Sequence, residues 1–158
     1  MSDYKLVIDS REQLPLNFRK NVVTKGLKAG DYGAEINGVL LPVCFDRKSP
    51  IDLAGTLQQG HSRFVRELGM AHQQGLKLIV IVECSYMNFI EKKFKGSKHV
   101  GTIPGTLRKI LHGTIISHDL QVIFCNDRKE MVRFIRNYFN ALAKHELKHN
   151  LEKYEVKP

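Results

Sequence analysis

An α/β domain with a mixed central sheet flanked by helices follows from three features of the sequence. The run LKLIVIVEC (76–84) is continuously aliphatic, the composition of a central strand covered on both faces. Short apolar runs alternate along the chain with longer stripes at helical spacing, the order of a layered α/β domain. DYGAEI and VLLPVCF flank Asn37-Gly38, a strong two-residue hairpin signal, which puts an antiparallel part into the sheet.

The elements read in order. KLVID (5–9) predicts a buried strand, followed by the polar turn SREQLP. A second extended piece spans about Val22 to Leu27 and leads into Gly30 and the hairpin. Ser49-Pro50 with Asp52 supplies an N-cap, a proline at the first helical position and an acid in the first turn. A long helix is expected from there to about Gln74, carrying Leu53, Leu57, Phe64, Leu68 and Ala71 on one face, with Gly60 a point of kinking. After the aliphatic strand, 85–105 holds Lys92, Lys93, Lys95 and Lys98 and reads as an exposed basic loop. A helix after Pro104, a strand QVIFC (121–125) and a last helix starting near Asp127 complete the domain.

The 158 residues (18.1 kDa) fit one domain able to bury a core without disulfides or a structural metal. The N-terminus MSDYKLVIDS carries acids and lacks the basic start and apolar stretch of a secretory signal, and no apolar run approaches a membrane span, so a cytoplasmic protein is expected. Cys44, Cys84 and Cys125 have no CxxC spacing and read as buried reduced thiols. The formal charge of +9 favours a phosphate polyanion, hence nucleic acid, as partner.

The hairpin carries the chemistry. Pairing Ile36 with Val39 and counting outward puts Asp31 opposite Cys44, with Asp46 on the same face and diagonal to Asp31, at roughly 7–8 Å between backbones. Lys48 falls on that face and Arg47 on the other. Two acids and a lysine suit a divalent metal, a phosphodiester and a water. A bulge at Pro42 shifting the register by one would turn Asp46 away from Asp31.

VIDSRE (7–12), LKAGDY (27–32), FDRKSPIDL (45–53), GHSRF (60–64) and LIVIVE (78–83) follow in an order that resembles the XPF (ERCC4-type) nuclease domain over about residues 5 to 140. The hallmark of that family of structure-specific DNA endonucleases is GD, a variable segment, then ERKxxxD. The chain looks most like its small stand-alone prokaryotic and viral members. The resemblance implies a three-layer restriction-endonuclease-like fold of the PD-(D/E)xK superfamily and Mg2+- or Mn2+-dependent hydrolysis of DNA, in replication, recombination or repair. Asp31 and Asp46 would be the metal ligands, Lys48 the catalytic lysine, and Asp9, Arg11 and Glu12 the DSRE group beside them. Arg47, Asp52 and Arg63 match further motif positions. Asp46 replaces the family's usual glutamate, and no helix-hairpin-helix segment follows in the sequence.

On this reading residues 1–142 form the nuclease domain, and 143–158 a basic helix end and tail. Arg11, Arg47, Arg63, Lys92, Lys93, Lys95 and Lys98 would bind DNA, with Arg108, Lys109 and the C-terminal lysines, through the backbone. Met131, Val132, Phe134, Ile135, Tyr138, Phe139 and Leu142 make an apolar band wider than one core-facing stripe needs, which predicts a homodimer through the C-terminal helices. A DNA-binding or scaffolding module with a decayed site is the alternative. HELKH (145–149) matches a zinc-helix pattern, but only nine residues follow to supply a third ligand, so it is read as a charged helix face.

Overall fold

The computed structural model describes residues 4–156, so the first three residues and the last two, Lys157 among them, lie outside it. One seven-stranded sheet forms the middle layer. Its strands are β1 (Lys5–Asp9), β2 (Val22–Lys25), β3 (Tyr32–Ile36), β4 (Val39–Leu40), β5 (Val43–Lys48), β6 (Lys77–Glu83) and β7 (Gln121–Cys125). The order is β2-β1-β3-β5-β6-β7, with the short β4 also on β3. β1–β2, β5–β6 and β6–β7 pair in parallel, while β3 runs antiparallel to β1, β4 and β5, which is the mixed sheet expected. β6 sits between two parallel neighbours and its residues from Leu78 to Val82 are buried, as its unbroken aliphatic run requires.

The helices are α1 (Pro50–Leu57), α2 (His61–Gln73), α3 (Tyr86–Ile90), α4 (Pro104–His118) and α5 (Arg128–His149). Alternation along the strands sends side chains into two cores. Phe45, Ile79 and Ile81 point to the face covered by Ile135 and Phe139 of α5. Cys44, Val80 and Val82 point to the face covered by Leu53, Phe64 and Leu107 of α1, α2 and α4. These are the three layers the sequence predicts.

Two expectations are corrected. The long helix to Gln74 is two helices: at Gln58–Gly60 the chain leaves helical geometry, and the amides of Gln58 and Gly60 both return to the Gly55 carbonyl (3.2 and 2.9 Å). Gly60 lies so close to the preceding turn that a Cβ there would stand 3.3 Å from Thr56 Cα. The stretch 85–105 is not wholly loop. Ser85 caps α3 by accepting the Asn88 amide (3.1 Å), and a 3-10 turn forms at Ser97–His99. α5 continues without a break past Leu142, and Ala143, Glu146 and Tyr154 are buried against the rest of the domain. No described helix is long and apolar enough to cross a membrane.

Candidate active site

All three acid-bearing strand ends meet at one edge of the sheet. β1 and β5 run the same way and deliver Asp9 and Asp46–Lys48 at their carboxyl ends, while antiparallel β3 starts there with Asp31 just before it. Open α/β sheets gather ligands at such an edge.

The hairpin reaches this arrangement through an irregularity. Ile36 pairs with Val39 around the Asn37-Gly38 turn, where both turn residues have positive φ (50° and 80°). Further out, Tyr32 pairs with Phe45, so β3 advances four residues while its partner advances six. The Leu41 amide still donates to the Ala34 carbonyl (2.8 Å), so the two extra residues fall between Leu41 and Phe45, and Asp31 is therefore not opposite Cys44. Pro42 has no N–H to contribute and uses only its carbonyl, which accepts from Lys77 on β6 (2.9 Å). A shift of two preserves side-chain parity, where a shift of one would invert it. Asp46 thus keeps the face of Cys44, and Asp31 is held against it: the Asp31 amide donates to the Phe45 carbonyl (2.7 Å), and Asp31 Oδ2 accepts the Arg47 amide (2.8 Å).

The carboxyls of Asp31 and Asp46 are close enough for the charge of one to oppose that of the other. Burial, then the charge of Asp46, with Glu12 adding to it, pushes Asp31 up to about 7. Lys48 Nζ stands 3.2 Å from Asp46 Oδ2 and 5.6 Å from the centre of the Phe64 ring, so it shares the acids' side as predicted. Arg47 goes the other way, pairing with Glu12 Oε1 (3.1 Å) and donating to the Leu14 carbonyl (3.2 Å).

Asp9 is different in kind. Its Oδ1 accepts the Leu27 amide (2.8 Å) and its Oδ2 accepts Arg11 Nε (3.0 Å). Burial pushes this carboxyl up, but the Leu27 amide and Arg11 outweigh it and hold Asp9 below the usual range. Its amide donates to the Asp31 carbonyl (2.8 Å), so Asp9 fixes the segment that carries Asp31.

Two clefts open here, one beside Lys48 and one lined by the acids themselves. One, of about 490 Å³, is lined by Arg47, Lys48, Asp52, Arg63 and Glu67. The other, of about 220 Å³, is lined by Arg11, Lys28, Asp31, Asp46, Glu67 and Met70. Glu67 borders both, and it pairs with Arg63 at 3.2 Å on exposed α2. In the sequence Glu67 is legible only as that i+4 partner, and Lys28 only as a residue of LKAGDY. Ser49 Oγ accepts the Asp52 amide (3.2 Å), leaving the exposed Asp52 carboxylate facing the first cleft.

The basic loop is divided. Lys92 Nζ donates to the Val100 carbonyl (2.5 Å) and staples the loop, and Lys93 pairs with Glu91 (2.8 Å). Lys95 and Lys98 are exposed with no acidic partner among the described residues. Thr102 bonds Gln58, and the Gly96 backbone packs on Ile51, so this loop is docked on α1 beside the larger cleft. In HELKH, Glu146 is turned inward to Tyr154 Oη (3.0 Å) and Asn150 Nδ2 (2.9 Å), away from a metal-base position.

No cluster of three or more His, Cys, Asp or Glu residues disposed to hold a metal occurs among the described residues. Asp31 and Asp46 nonetheless fit a magnesium-type ion, which is commonly held by one or two carboxylates with water completing its shell. They press two like charges together at a cleft mouth, where Lys48 makes the one ion pair to either of them among the described residues.

Comparisons with known proteins agree with the architecture. The family model described as the ERCC4 domain matches residues 3–138. Two solved structures of XPF from Aeropyrum pernix are similar: one, in complex with DNA, at TM-score 0.58 and 18% identity over 91% of this chain, the other at TM-score 0.61 and 17% identity over 94%. The chain spans 65% and 67% of those two proteins, and at such identities the likeness shows a shared fold. No curated protein matches the chain. A model covering most of the sequence, on a sheet edge that carries the family's motif residues, places this chain in the ERCC4 domain family, that of the XPF nuclease domain.

Proposed function

We infer that the chain is a divalent-metal-dependent endodeoxyribonuclease that hydrolyses phosphodiester bonds, selecting branched, flapped or junction DNA in replication, recombination or repair. The observation that carries this reading is the convergence of Asp31, Asp46 and Lys48 on one face of one sheet edge, beside a cleft lined by Arg47 and Arg63.

Asp31 and Asp46 would hold magnesium or manganese, which supplies positive charge against the phosphate and acidifies water. Lys48 Nζ, fixed between Asp46 and Phe64, orients the attacking water and donates a hydrogen bond to the phosphoryl oxygen as negative charge develops. Glu12 adds negative potential at Asp31 and anchors Arg47. Asp9 acts as a positioning residue, because both its oxygens are already engaged. Arg47, Arg63, Lys93, Lys95 and Lys98 contact backbone phosphates, and Lys92 holds the loop that presents three of them. Val132, Phe134, Tyr138, Leu142 and Leu147 of α5 pack on the chain's own core but are only partly buried by it; the apolar surface they leave exposed supports a homodimer, and sedimentation giving only 18.1 kDa particles would exclude it.

The test is cleavage of branched, flapped and linear DNA with magnesium by the wild type, Asp31→Asn and Lys48→Ala. The reading expects cutting by the wild type alone. Equal cutting by all three would remove the assigned site, and salt-sensitive binding with no cutting by any would favour a non-catalytic DNA-binding module.

A further inference from the structure

The acids are flanked by cations on two sides, not one. On the α1–α2 side lies the cleft of Lys48 and Arg63. The smaller cavity, which shares only Glu67 with that cleft, is lined by Arg11 and Lys28 together with Asp31 and Asp46 themselves.

Arg11 is unusually well fixed for so exposed a side chain. It is 74% exposed, yet Nε donates to Asp9 (3.0 Å) and Nη2 to the Leu27 carbonyl (2.9 Å), which locks the guanidinium plane at the cavity mouth. A guanidinium carries five N–H donors, and these two bonds leave the rest facing solvent. Lys28 sits on the same segment, one residue past Leu27, exposed and with no acidic partner among the described residues. The same Leu27 thus ties Asp9, Arg11 and Lys28 into one unit through its amide and carbonyl. Beyond the bonds of Arg11 to Asp9 and Leu27, the remaining guanidinium donors and the Lys28 ammonium have no partner among the described residues. They match the requirement of a polyanion that must pass the acids and continue beyond them.

We propose that Arg11 and Lys28 form a second phosphate subsite, gripping the DNA strand on the far side of the scissile bond from Lys48 and Arg63. This rests on the nuclease reading for the position of the bond, though not for the binding itself. The strand then crosses the sheet edge held at both ends, with the reacting phosphate suspended over Asp31 and Asp46. Asp9 aligns Arg11 through its Oδ2.

The experiment is a scan of DNA with single neutral methylphosphonates, read by metal-free binding and by magnesium-dependent cleavage, for the wild type, Lys28→Gln and Arg63→Gln. Lys28→Gln is expected to fold normally, weaken binding about tenfold and lower the salt slope by about one. Cleavage at saturation changes little while KM rises. Methylphosphonates that cease to matter in Lys28→Gln lie on one side of the cut, and those that cease to matter in Arg63→Gln lie on the other. Unchanged affinity and slope in Lys28→Gln, or the same phosphates responding in both variants, would overturn the proposal. If the wild type binds without cutting, the nuclease reading fails, and the subsite is judged on whether the two sets of phosphates are distinct.

Discussion

Asp9 and Asp31 end and begin neighbouring strands at the same sheet edge, joined by a backbone hydrogen bond of 2.8 Å, yet their surroundings are opposite. Asp9 is buried among donors: the Leu27 amide and Arg11 favour its charged form. Asp31 is half-buried among acids: Asp46 and Glu12 oppose its charge, and one backbone amide supports it. A carboxylate that has found its donors inside the protein is spent on structure. One pressed against other carboxylates is held ready for a cation from outside.

Variants of the two regions break or sharpen that contrast. The largest effect is expected on turnover. Asp31→Asn and Lys48→Ala each lower magnesium-dependent cleavage by about a thousandfold, roughly 4 kcal/mol in the barrier, with folding intact by circular dichroism. Asp9→Ala acts on stability instead. It strips the buried Leu27 amide of its acceptor and leaves Arg11 unpaired, and denaturant unfolding is expected to show a loss of about 2–4 kcal/mol.

A smaller effect separates the two by pH in metal-free protein. Asp31 binds its proton more tightly folded than unfolded, so its contribution to stability is greatest in acid and declines as pH rises through about 4 towards about 7. Asp9 binds its proton less tightly folded, so its contribution is present above the unfolded carboxyl pKa and lost as pH falls through its lowered folded value. Asp31→Asn is therefore expected to raise metal-free stability near neutral pH by about 2 kcal/mol and to flatten the slope between about pH 4 and 7. A midpoint that does not rise in chemical denaturation would contradict the crowding of Asp31. Smallest is Arg63→Ala: its exposed pair with Glu67 is worth under about 0.5 kcal/mol, so thermal unfolding barely moves.

Much of this was legible in the sequence because the signals are local. KLVID and QVIFC form strands over the ranges read, the Asn37-Gly38 turn is where its dipeptide puts it, and Asp127 caps α5 through the Glu130 amide (2.8 Å). Face alternation put Asp46 and Lys48 together and sent Arg47 away. What failed depends on contacts distant in sequence. Nothing at Pro42 or just after it encodes whether one or two residues leave the ladder, since Lys77 on a strand still to come takes the Pro42 carbonyl. The break at Gln58–Gly60 depends on how closely Gly60 approaches the turn before it. Asp9 could not be told from Asp31 because its partners lie up to eighteen residues away. Glu67 and Lys28 reach the site only once α2 and the segment before β3 have packed.

The most direct test of the shared-cation claim is manganese binding followed by electron paramagnetic resonance, with DNA present and absent. The account predicts that the wild type takes up manganese, that Asp31→Asn and Asp46→Asn both lose it, and that Asp9→Asn keeps it. Uptake that survives in Asp31→Asn and Asp46→Asn alike, or vanishes only with Asp9, would contradict it.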